Sequence, residues 1–108
     1  MKQNIREIFN QLVENFNFDK VHEVCKIDDY FSWINCSQNP IDEMKRCVHE
    51  LFNDCIYNMI ENNINSSVCS SGGFEVSVER YKINKEYHFN IAINFIAVND
   101  EIDTVESF

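Results

Sequence analysis

The chain has 108 residues, 44% of them apolar and 25% charged, with a formal net charge of -9. That length suits a single hydrophobic core and is too short for a cofactor domain beside a substrate domain, and the composition excludes wholesale disorder. The negative charge argues against nucleic acid or anionic lipid as a direct partner and favours basic protein surfaces.

Only two Gly and one Pro occur, and the Gly are adjacent. Long loops and β-sandwiches need more turn residues than this. No stretch approaches the roughly 20 apolar residues of a membrane span, and the Met1 to Phe16 segment is amphipathic, so neither a signal peptide nor a membrane anchor is expected. Five cysteines, Cys25, Cys36, Cys47, Cys55 and Cys69, form an odd, widely spaced set. They read as free thiols in a reducing cytoplasm, where the sequons at Asn35 and Asn65 carry no meaning.

In chain order, Ile5, Ile8, Phe9, Leu12, Val13 and Phe16 fall on one helical stripe and predict a first helix. Residues 19–35 leave helix and strand open. The reading taken is a short helix capped by Asp19 and carrying Val21, Val24 and Cys25, then an aromatic strand over Tyr30–Ile34. Asn39-Pro40 starts a second long helix: Asn caps, Pro suits the first position, and Asp42 with Glu43 complements the positive helix end. Its apolar face comprises Ile41, Met44, Val48, Leu51, Phe52, Cys55, Ile56 and Met59. Asn62 to Gly73 lacks periodicity and reads as the principal loop.

A two-residue turn at Asn84-Lys85 sets the register of a hairpin over Phe74–Val98. It places Val78 opposite Ile91, Val76 opposite Ile93 and Phe74 opposite Phe95, all on one face. The other face is mostly polar, so helices cover a single side of an antiparallel sheet. The aromatic strand around Phe31 is expected as its third member, since two strands alone are marginal. The fold class is α+β: two layers, two main helices on one face of a small antiparallel sheet containing a C-terminal β-hairpin. Toward the turn, Arg80 opposite Phe89 and Lys82 opposite Tyr87 predict a projecting basic-aromatic tip, or stems laid over the core edge with their heads in water. Residues 1–99 form the domain, and 100–108 an acidic, frayed tail.

The hairpin balances Glu75, Glu79 and Glu86 against Arg80, Lys82 and Lys85, so the whole acidic surplus lies on the helical half and the tail. On the second long helix Glu43, Glu50, Asp54 and Glu61 recur at intervals of seven, four and seven. At 100° and 1.5 Å per residue they form a narrow row roughly 27 Å long, facing away from the apolar side. Such a row can imitate a phosphate strand, or it is a solvated face in which Arg46 and Lys45 pair with Asp42, Glu43 or Glu50.

No enzyme is expected. His22-x-x-Cys25 and Cys47-x-His49 fall short of a zinc set, because Cys47 and His49 diverge by about 200° on a helix. Cys69 and Ser70 lack an oriented base, Asp28-Asp29 is a solvated pair, and Gly72-Gly73 precedes a strand, not a helix. No cofactor and no metal are expected. Stacking on nucleic acid by Tyr30, Phe31, Trp33, Tyr81 and Tyr87 would need a basic surround.

Fifteen Asn with abundant Ile, Lys and Phe suggest an AT-rich genome. In length, acidity and lack of motifs the chain is similar to the small accessory proteins of phages and mobile elements, among them anti-restriction, anti-CRISPR and toxin-immunity proteins. That resemblance implies an inhibitor of a nucleic-acid-handling enzyme. Glu43, Glu50, Asp54 and Glu61 would meet the partner's basic surface, with Asp100, Glu101 and Asp103 assisting. The alternative is an assembly protein that self-associates through its sheet edge using Phe31, Trp33, Arg80, Lys82, Tyr87 and Phe89.

Overall fold

The computed structural model describes residues 4–26, 31–96 and 102–107. Its elements are α1 (Ile5–Asn15), α2 (Phe18–Cys25), α3 (Ser32–Asn35), α4 (Pro40–Asn62), β1 (Ser66–Ser71), β2 (Phe74–Ile83), β3 (Glu86–Phe95) and β4 (Ile102–Ser107). The strands form one antiparallel sheet in the order β1-β2-β3-β4. The helices pack on one face of it, which makes the fold α+β.

The β2–β3 hairpin has the register expected from its alternation: Phe74 pairs with Phe95, Val76 with Ile93, Val78 with Ile91 and Ile83 with Glu86. Asn84 and Lys85 both adopt left-handed backbone, φ 51° and 70°, the pairing a two-residue turn needs to match strand twist. The six apolar side chains of the inner face are buried together with Leu12, Val48, Leu51 and Cys55. At the base of the hairpin an aromatic chain ties sheet to helices, from Phe16 and Phe18 through Phe74 and Phe95 to Phe31. Phe9 of α1 stacks on Phe52 of α4 at 4.1 Å between centroids.

Three of the four described helices start at Asn residues. Asn4 caps α1 through Oδ1, which accepts from the Arg6 N–H at 2.8 Å. Asn17, not Asp19, caps α2, and its Oδ1 accepts from the Lys20 N–H at 3.1 Å. Asn39 occupies the cap position of α4 without a side-chain bond, leaving Pro40 and the acidic first turn to define the start. At the other end Asn63 takes the left-handed conformation, φ 49°, and its N–H reaches back to the carbonyls of Ile60 and Met59.

Three further expectations are corrected. Phe31–Ile34 is not a strand: Phe31 precedes the short helix α3, and Phe31 and Ile34, three apart, are the buried pair. The third strand comes instead from the Ser-rich segment read as a loop, which is β1. Its pairing with β2 and its cover by α4 supply what its own sequence lacks: the buried Ser67 hydroxyl accepts from Asn58 Nδ2 at 2.9 Å, and the Cys55 sulfur packs 3.7 Å from the Ser67 carbonyl. Gly72 and Gly73 make the β1–β2 turn with φ 61° and 90°. A Cβ on Gly72 would lie 2.8 Å from the Trp33 ring, so α3 presses directly on this turn. Finally, residues 102–107 are not a frayed tail but β4, which pairs with β3 from Asn90↔Ser107 to Phe95↔Ile102.

Candidate protein-binding surface

α4 presents three different sides. Its inner side, from Met44 to Met59, fills the core. A second side meets α1, where the Phe9 ring lies edge-on to His49 at 5.2 Å and Arg6 Nη1 donates to Asn53 Oδ1 at 2.7 Å. The third leans over β1: the Cys47 thiol donates to the Ser71 carbonyl and Asn58 bonds Ser67. Cys47, Asp54 and Asn58 recur at i, i+7 and i+11 and so share that flank. The acidic row therefore lies on the solvent side of α4, next to β1.

Within the row the two halves differ. Arg46 bridges Glu43 and Glu50, with both contacts at 2.8 Å. The two carboxylates, Glu43 foremost, raise the Arg46 pKa above its ordinary value. Exposed ion pairs of this kind add little stability and exchange readily for other partners. The C-terminal half, Asp54 and Glu61, forms no ion pair among the described residues. Between them lies Tyr57, 67% exposed, and beside it Ile60, 74% exposed. Neither was singled out by periodicity, although both fall off the apolar stripe that defines the core side. A ring between two carboxylates suits a cation, which gains charge pairing and the ring face together. Among the candidates outside α4, Asp103 lies in β4 opposite Asn94. Asp100 and Glu101 lie outside the described residues.

The second candidate set divides. Phe31 is 0% exposed and offers no interface. Trp33 is packed against the core and the Gly72 turn, and Phe89 is half-buried. At the hairpin tip the Arg80 guanidinium and Lys82 Nζ lie over the exposed Tyr87 ring at 4.7 and 4.9 Å, and Arg80 Nη2 donates to Asn65 Oδ1 at 3.0 Å. The two cations pack on the aromatic ring, which stays 47% exposed, and together they make a positive tip.

Cys47 and His49 are held apart. Cys47 faces β1 while His49 faces α1, on different sides of α4. Burial, with Arg6 and Lys45 near, lowers the His49 pKa. Cys25 is buried, and no group of three or more His, Cys, Asp or Glu able to hold a metal occurs among the described residues. Asp28 and Asp29 lie outside them. No known protein family, curated protein or solved structure matches this chain. No described helix is long and apolar enough to cross a membrane.

The Cys55 thiol donates to the Val76 carbonyl at 3.3 Å, and burial together with the neighbouring Cys69 thiol pushes its pKa up from 9.0 to about 12. The unfolded chain releases this proton first, so stability falls as pH rises from about 9 and the loss is complete near 12. Cys55→Ala should show a shallower alkaline decline than wild type in urea titrations across that window. At neutral pH a thiol-alkylating reagent should modify the exposed Cys36 well before Cys55. Equal modification rates would place Cys55 outside the core.

Proposed function

We propose that this protein is a non-enzymatic binding protein whose acidic α4 face occupies a basic surface on another protein, in the manner of an inhibitor of a nucleic-acid-handling enzyme. The observation that carries the reading is the exposed Tyr57–Ile60 pair set among Glu50, Asp54 and Glu61 on a 23-residue helix. Carboxylates steer a basic partner to the surface, and the aromatic and aliphatic side chains supply contact area that charge alone lacks. The partner class is a defence nuclease, a restriction or CRISPR effector, or a toxin, each of which needs a positive surface to hold phosphates. At -9 the protein itself repels nucleic acid overall, and it acts in the cytoplasm of the cell that holds its target.

The test is capture of the partner from the native host at low salt, followed by association kinetics. The captured protein should be basic, should elute as salt rises, and should be released by nucleic acid that does not bind this chain. Glu50→Lys with Asp54→Lys should leave the fold intact, since both side chains are exposed, and slow association by about tenfold with a flatter salt dependence. Unchanged affinity and salt slope in the double variant would reduce the row to a solvated face.

A further inference from the structure

β1 ends the sheet, and it is an unusual edge. The opposite edge strand, β4, carries Asp103 and Glu106, whereas β1 reads Ser-Ser-Val-Cys-Ser-Ser with no charge and no Pro. Edges are ordinarily protected by such residues, because their unpaired backbone groups accept another strand. The Arg80 N–H bonds the Asn65 carbonyl at 2.6 Å, which fixes the phase of the ladder with β2. Ser67, Cys69 and Ser71 then exchange bonds with β2, and the N–H and C=O groups of Ser66, Val68 and Ser70 point away from the sheet. All three residues are exposed.

We infer that this edge accepts an extended, positively charged strand from a protein partner, whose alternate side chains are basic and lie against Asp54 and Glu50 of α4. The inference rests on the reading of the acidic helix face as a binding surface and names what that surface takes. Side chains of an added strand alternate between faces. On the helix side they emerge under the flank of α4 that holds Asp54 between Cys47 and Asn58. On the outer side they meet Val68, 61% exposed, beside a shallow depression of about 450 Å³ lined in part by Ser66, Ser77, Glu79, Asn90 and Ala92. The edge thus selects basic residues alternating with apolar ones. A second copy is the poorer occupant: two-fold pairing of β1 with itself would bring two α4 rows side by side, in chains that each carry -9.

The probe is a capped peptide of alternating Lys and Val, long enough to span β1 and titrated into the full chain at up to about 1 mM. Binding should slow amide exchange at Ser66, Val68 and Ser70. N-methylation of the peptide amides in one alternating phase should lower affinity roughly tenfold or more, and in the other phase should leave it unchanged, because only one set faces the edge. Val68→Pro removes an outward N–H, a position where an edge strand tolerates Pro, and should abolish binding. A Glu-Val peptide should bind only after Glu50→Lys with Asp54→Lys. If the double reversal weakens Lys-Val binding while Val68→Pro and both methylation phases do not, the strand inference is wrong and the acidic reading stands. If no variant matters, or if no binding occurs, both fail. Exchange protection of the three amides without peptide, in a chain that sediments as a dimer, would assign the edge to a second copy and overturn the inference.

Discussion

Phe31→Ala should destabilise the protein by about 3 to 5 kcal/mol, the usual cost of emptying a fully buried phenylalanine site. The ring is 0% exposed and packs on Phe95 at 5.5 Å between centroids, where α3 meets the base of the hairpin. Domains of this size have about 5 to 15 kcal/mol in total, so the variant should approach half-unfolding in mild urea. Equilibrium urea unfolding checks this, and a loss under about 1 kcal/mol would remove Phe31 from the core. The same measurement separates core from interface, since an interface aromatic would leave the isolated chain's stability unchanged.

Ile93→Ala should cost about 2 to 5 kcal/mol and Val76→Ala somewhat less, whereas Ser77→Ala should stay within about 0.5 kcal/mol. Ile93 and Val76 are paired on the inner face and buried, and Ser77 pairs with Ala92 on the outer face. Because neighbouring positions of one strand are compared, differences in the unfolded state are small. Similar losses at Val76 and Ser77 would mean the strand is turned over relative to α4.

The hairpin was legible because alternation and a two-residue turn specify register jointly, and a slip of one residue would bury Glu79 in place of Val78. The stripes of α1 and α4 were legible for the same kind of reason. β1 was not: Ser66 to Ser71 has no pattern of its own, and its strand conformation comes from β2 beneath the cover of Cys55 and Asn58. Tyr30 to Ile34 misled through composition, since aromatic and branched residues favour strands, while the spacing of Phe31 and Ile34 was helical. Of the candidate surface, the carboxylate row and the pairing of Arg46 with Glu43 and Glu50 were readable from spacing. Tyr57 and Ile60 stand out only against the core side of α4, which packing defines, and the open edge exists only because β1 is a strand.

The strand order β1-β2-β3-β4 follows the chain, so each strand pairs with the one synthesised just before it. Contacts this local favour fast pairing once the segments exist. The helices, however, come first in the chain, and their apolar stripes have no sheet to cover until β2 and β3 have been made. During synthesis the unfinished half exposes Phe9, Leu12, Val48 and Phe52, all destined for the core. Mutual repulsion among the carboxylates already present keeps such intermediates apart, so the surplus charge on the helices also protects the nascent chain from aggregation.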